Sequence, residues 1–188
     1  MNKIKVVYLI LFCAIIIYYG FALNNHIGLS GDDAGYIIWA KSILQGGGLD
    51  YINEPQPRPS GFNLYVLPLL LLPFAAFTNS IIYYKIIPLL FSAFSIIAFL
   101  IYLKYVFSER LQIIAALFLL IFNGLFFDYS HQVMAENIYI FLTIVSLYFS
   151  FKYKNDKSIL TVNMLLCAVF AALAFFTRTA GITLIAGI

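Results

Sequence analysis

Hydrophobic residues in this chain come in long uninterrupted runs, not in the short alternating or one-faced patterns of a fold that packs in water. The run VVYLILFCAIIIYYGFAL, ending at Leu23, is the first. Four more follow at Asn79 to Phe107, Leu111 to Phe127, Asn137 to Phe151 and Leu160 to Phe176. Each is close to the roughly 20 residues that a helix needs to cross a bilayer core. The pattern predicts an all-α fold, a polytopic membrane helix bundle with about five transmembrane helices.

The first run follows Lys3 and Lys5, as a signal peptide would. Its apolar part exceeds the ~7–15 residues of a signal h-region. Tyr18, Tyr19, Phe21 and Leu23 also leave no small-residue cleavage site. It reads as a retained helix with its amino end in the cytoplasm. A further apolar stretch, FNLYVLPLLLLPFAAF from Phe62 to Phe77, is shorter and is interrupted by Pro68 and Pro73. Parity decides its status. If it spans, the basic segments Lys104 to Arg110 and Lys152, Lys154, Lys157 fall outside. If it rests at the outer interface, both join Lys3 and Lys5 in the cytoplasm, as the positive-inside bias prefers. The second arrangement is expected, with Phe62 to Phe77 interfacial or re-entrant.

Composition agrees with lipid as the main surroundings: 63% of residues are hydrophobic and 10% charged, and the mean hydropathy is +0.97. The net charge of +3 is too small to point to nucleic acid. Cys13 and Cys167 both sit inside apolar runs, where they act as small hydrophobes and imply neither a disulfide nor a metal site. The chain reads as one transmembrane domain, residues 1–188, whose first outer loop occupies residues 24–62.

That loop holds a second kind of pattern. Tyr36, Trp39, Ala40, Ile43 and Leu44 recur at the spacing of one helical face, and Gly46, Gly47 and Gly48 end it. This predicts a short amphipathic helix lying on the membrane, with Tyr36 and Trp39 at headgroup depth. Ser30 is placed to cap it, which puts Asp32 and Asp33 in the first turn. Acids there complement the helix dipole. A cap needs only one, and a second at the water edge of an apolar groove suits chemistry on a substrate that straddles the interface. The expected topology gathers Asp32, Asp33, Glu54 and Arg58 on the same rim as Asp128, His131, Glu136 and Arg178. Lys85 lies one to two turns inside the second span, within reach of snorkelling. No charge falls near the bilayer middle, where an ion-coupled transporter keeps its coupling group.

The order of these features, GDDAGY opening an outer helix, a Pro-interrupted apolar segment and SHQVMAEN ahead of a span, resembles the amino-terminal part of the lipid-dependent glycosyltransferases of the GT-C superfamily. The likeness is strongest to the protein O-mannosyltransferase-like and aminoarabinose transferase-like enzymes, including the rhizobial galacturonosyltransferase type. Their D-[DE]-x-x-Y pattern matches Asp32, Asp33, Ala34, Gly35 and Tyr36; their second acid matches Glu136; and L-T-[RK]-x-x-G is similar to Phe176 through Gly181, with Arg178 as its basic residue. The resemblance implies transfer of a sugar from a polyprenyl-phosphate donor to a glycan, lipid or protein hydroxyl, outside the plasma membrane of a bacterium or archaeon. It makes Asp32 the candidate base. Asp33 would position the acceptor or, with Glu136, bind a divalent cation such as Mg or Mn. Arg178, Arg58 and Lys85 become candidate phosphate contacts, with Tyr36 and His131 completing the substrate-binding set. Such relatives are longer, and GITLIAGI reads as the start of a sixth span, so the resemblance also implies an amino-terminal portion.

Plainer roles stand beside each of these. Glu136 and Asp128 suit helix caps, Arg178 an interfacial anchor, Lys85 a snorkelling lysine, and His131 an exposed loop residue. Two other function classes stay open: a transporter or flippase-like protein for lipid-linked sugars, which needs a polar path through the bundle, and a non-catalytic membrane subunit, in which Asp32 is replaceable by Asn.

Overall fold

The computed structural model describes residues 3–28, 32–154 and 161–187, with side chains from residue 9 onward in the first helix. Ser30, expected as a cap, lies outside the described residues. The protein is all-helical, and among the described residues the extended structure is limited to one isolated bridge, Asp50 to Pro59. The helices are α1 (Lys3–Gly20), α2 (Asp32–Leu44), α3 (Val66–Phe77), α4 (Ile81–Tyr84), α5 (Ile86–Val106), α6 (Arg110–Ile121), α7 (Gly124–Ser130), α8 (Glu136–Lys154), α9 (Val162–Thr177) and α10 (Gly181–Gly187).

The long helices pack side by side. Phe12 of α1 lies against Phe94, and Asn24, just past the end of α1, meets Lys85 at the head of α5, so α1 and α5 run antiparallel. Phe94 meets Phe141 and Tyr105 meets Tyr148, so α5 and α8 run parallel. Ser146 meets Cys167 while Glu136 meets Arg178, which makes α8 and α9 antiparallel. Register between α5 and α8 is fixed by a buried polar group: Asn137 donates to Ser92 Oγ at 2.6 Å and to the Phe126 carbonyl at 3.2 Å, and Ser95 Oγ donates to the Asn137 carbonyl at 3.0 Å. In an apolar bundle such side-chain bonds select one alignment, because any slip strands a buried amide.

Among the described residues one helical stretch, Ile81–Val106, is long and apolar enough to cross a membrane; α6 and α7 together make a second if their 55° bend is counted within one span. The run expected as a single span from Leu111 to Phe127 is therefore broken. Asn123 stops α6 and starts α7, accepting from the Phe126 N–H at 2.9 Å. Asp128 sits in the last turn of α7 and caps nothing among the described residues, its side chain exposed.

The prolines of the ambiguous segment do not break it. Pro68 falls in the first turn of α3, where its missing N–H has no partner to lose, and Pro73 is carried inside a continuous helix. At 12 residues α3 extends about 18 Å, short of the ~30 Å of a bilayer core. It packs with α2 against α8 and α9 around Ile37, Ala40, Leu67, Leu71, Ile138, Leu142 and Ala174. The outer surface of the bundle is broadly apolar; α6 buries no residue and shows Leu111, Ile114, Phe118 and Leu119.

Two sequence expectations change here. The helix from Asp32 is present, but Trp39 is 6% exposed, inserted between Tyr36 and Tyr51 and not laid on an outer surface. Lys85 is 2% exposed and does not snorkel: its Nζ turns inward to Asn24 Oδ1 at 2.9 Å and the His26 carbonyl at 2.6 Å.

Candidate active site

The two neighbouring carboxylates of α2 part company. Successive residues of a helix diverge by about 100° around its axis, so both cannot face the same way. Asp33 turns into the protein and is fully buried, while Asp32 is exposed on the wall of a cleft. The chain's path makes that cleft from distant segments. After Leu44 the chain reverses through Gly46, whose φ of 84° a glycine adopts without strain, and Gly47 N–H closes the turn on the Ser42 carbonyl at 3.0 Å. It then folds on itself, Tyr51 N–H to the Arg58 carbonyl and Ser60 N–H to the Leu49 carbonyl, both 2.8 Å. This loop carries Tyr51, Asn53 and Glu54 to the cleft, opposite the start of α8 and the end of α9 in sequence.

The cleft has a volume of about 440 Å³. Its chemistry is supplied by Asp32, Tyr36, Glu136 and Arg178, with Trp39, Tyr51 and Phe62 as aromatic wall. Glu136, in the first turn of α8, forms an ion pair with Arg178, the residue that ends α9. Burial and then the Glu136 carboxylate push the Tyr36 phenol up to about 12; Arg178 opposes this and Asp32 adds to it. Tyr36 thus senses all three charges and is a neutral phenol, able to donate one hydrogen bond. Asp32 makes no hydrogen bond or ion pair among the described residues, which leaves it the free acceptor of the group.

The remaining candidates lie elsewhere. Arg58 does not line the cleft: its Nε and Nη2 grip Glu54 at 2.7 and 2.9 Å, and it stacks over Tyr51 at 5.3 Å. That grip holds the Glu54 carboxyl below the usual carboxylate range. His131 ends α7, its Nδ1 3.0 Å from the Phe127 carbonyl and its ring beside Phe127, away from the cleft. Lys85 and Asp33 are both buried and do not line the cleft. Arg178 is therefore the basic side chain lining the cleft among the described residues.

A divalent cation finds a poor set of donors here. Asp33 does not line the cleft that Glu136 lines, Glu136 is neutralised by Arg178, and no group of three His, Cys, Asp or Glu side chains converges among the described residues. Tyr51 and Asn53 were missed by sequence reasoning. Nothing local marks them, because the fold-back of the loop brings them in. Comparison of the chain with protein-family models, with curated proteins and with solved structures returns no match.

Proposed function

We propose that the protein is a membrane-integral glycosyltransferase that moves a sugar from a polyprenyl-phosphate donor to an acceptor hydroxyl at the extracytoplasmic face. One observation carries the reading: Asp32 opens into the same cleft as Glu136 and Arg178, although the three come from separate segments. In the transfer, the acceptor oxygen bonds to the anomeric carbon, its proton goes to the Asp32 carboxylate, and the bond from that carbon to the phosphate oxygen breaks. The lipid phosphate leaves with the bonding pair, and Arg178 faces the charge that grows on it. Tyr36 donates to an oxygen of the bound sugar. The residue pattern shared with GT-C enzymes, Asp32, Tyr36, Glu136 and Arg178, supports the same assignment, and no step is routed through a metal.

The proposal places α1, α5, α6 with α7, α8 and α9 across the bilayer as five spans, with α3 at the outer interface. In support, the cleft lies at one end of the parallel and antiparallel set, while Lys104, Arg110, Lys152 and Lys154 cluster at the other. The apolar outer surface is what lipid accepts and water does not. A transport path gains no support: the buried hydroxyls of Ser92, Ser95 and Ser146 all donate to backbone carbonyls within the bundle.

The experiment is sugar transfer from polyprenyl-phosphate donors by membranes holding the complete reading frame. Asp32→Asn is expected to lower turnover by about 10²–10⁴-fold, the usual contribution of a positioned base, with folded protein unchanged. Undiminished transfer in that variant removes the base, and no transfer by the wild type with any such donor overturns the reading.

A further inference from the structure

Two buried ionisable side chains that do not line the cleft, Asp33 and Lys85, each hold the loop after α1. Asp33 Oδ2 accepts from Gly28 N–H and from Val133 N–H, both at 3.1 Å, tying the base of α2 to the loop after α1 and to the segment before α8. Lys85, between α4 and α5, holds the same loop nearer α1, through Asn24 Oδ1 and the His26 carbonyl. Asp33 and Lys85 thus grip the same loop at different points, with no direct ion pair between them among the described residues. Packing is close enough that a Cβ on Gly28 would meet the Asp33 carboxylate oxygens at 3.0 and 3.1 Å and Gln132 Oε1 at 3.1 Å. Asp33 Oδ1 is buried with no hydrogen-bond partner among the described residues, so the carboxylate is held by its two N–H donors and by its place at the start of α2.

We propose that Asp33 and Lys85 form a buried clamp that positions Asp32: by pinning its neighbour inward, the clamp fixes the rotation of α2 and so aims Asp32 into the cleft. Asp33 and Lys85 are positioning residues and touch no substrate. The clamp stands on geometry alone; its effect on turnover rests on the glycosyltransfer reading. Residues that look in sequence like a second catalytic acid and a phosphate hook thus act from inside the protein.

The test uses the purified full chain in detergent and the variants Asp33→Ala, Asp33→Asn, Lys85→Met and the double variant Asp33→Asn with Lys85→Met. Amide hydrogen exchange at Gly28 and Val133 is expected to speed up by about tenfold or more in Asp33→Ala and by less in Asp33→Asn, since those amides lose their acceptor. If the alanine variant does not fold, Asp33→Asn carries this readout. The melting shifts of Asp33→Asn and Lys85→Met should be non-additive, the double variant losing less than the sum because both side chains hold the same loop and its release is counted only once. In transfer assays kcat should fall in all variants while the donor KM stays within about twofold.

Unchanged exchange at both amides, or strictly additive melting shifts, overturns the clamp. A donor KM that rises with kcat unchanged in Lys85→Met also overturns it and makes Lys85 a phosphate ligand. If the wild type transfers no sugar, the glycosyltransfer reading alone fails, and exchange and melting still decide the clamp.

Discussion

Glu136 and Arg178 lie 42 residues apart, one opening α8 and the other closing α9, and they meet as an ion pair on the wall that Asp32 shares. The pair does two things at once. It zips the ends of two antiparallel helices, and it holds the guanidinium toward the cleft where a leaving phosphate would sit.

These roles separate on mutation. Arg178 is 41% exposed at its side chain, so the pair contributes little to stability, about 1 kcal/mol or less. Removing the cation should matter far more for a phosphate ligand, because a hydrogen bond to a charged group is worth about 1.5–3 kcal/mol, or about 10–100-fold in affinity. Arg178→Met is expected to weaken polyprenyl-phosphate binding by that factor with a melting temperature near that of the wild type. Glu136→Gln should weaken it only a few-fold, by letting the guanidinium wander. Titration of donor binding checks both; equal affinities in wild type and Arg178→Met remove the phosphate contact.

Tyr36 gives the site an alkaline limit. Its folded pKa, pushed up to about 12, exceeds the ordinary 10.0 because burial and the Glu136 carboxylate disfavour the phenolate. Below pH 10 the phenol is neutral in folded and unfolded chains alike, and stability is at its full value. As pH rises from about 10 to about 12 the unfolded chain ionises first, so the folded state loses stability across that window. Melting temperature measured against pH should fall there, and Tyr36→Phe should fall less steeply while leaving the neutral-pH value little changed. Identical slopes in the two proteins exclude this account.

How much of this was legible in the sequence depends on whether the determining contacts are local. The onset of α2 was, since acids in a first turn and glycines after the last apolar position are signals carried by the segment itself. The order of the apolar runs likewise placed Asp32, Glu136 and Arg178 at one end. Which of Asp32 and Asp33 faces the cleft was not legible, because it depends on Gly28 and Val133 reaching the second carboxylate from outside the helix. Lys85 reads as a snorkelling lysine until Asn24 and His26 fold over it. The bend after α6 is marked by the Asn123-Gly124 pair, a turn signal that the length of the surrounding apolar run outweighed.

A glycine controls how Arg178 is presented. Gly181 opens α10 just after the turn, its N–H bonded to the Arg178 carbonyl at 2.8 Å. A Cβ there would stand 2.5 Å from both Cα and N of Phe175 and 2.7 Å from the carbonyl carbon of Ala174. Those are backbone atoms of α9 and have no rotamer with which to yield. Gly181→Ala should therefore cost about 1–3 kcal/mol, the usual cost of overpacking a tight contact. It should also lower donor affinity by displacing Arg178. Gly187→Ala, at a position with open space around it, is the matched control and should be neutral. A melting temperature for Gly181→Ala equal to that control would mean that the turn relaxes freely.

If α8 crosses the membrane as proposed, its direction decides which compartment the cleft faces. Glu136 opens that helix beside the cleft, and Lys152 and Lys154 close it, with Lys152 Nζ over the Tyr148 ring at 4.8 Å and Lys154 Nζ over Phe151 at 5.6 Å. Positive charge held at a helix end by aromatic rings is retained on the cytoplasmic side more often than it is translocated. Asn53→Cys, on the cleft loop, should react with an impermeant maleimide in intact cells. Lys154→Cys should react only after the cells are opened, each measured against the same chain with Cys13 and Cys167 replaced. The short helix α3 is the pivot: were it to cross the bilayer in spite of its 12 residues, every later segment would reverse. Lys154→Cys would then label in intact cells, and Glu136 and Arg178 would face the cytoplasm, on the opposite side from Asp32. The structure joins all three in one cleft, so a labelling pattern that separated them would be incompatible with the fold as well as with the proposed orientation.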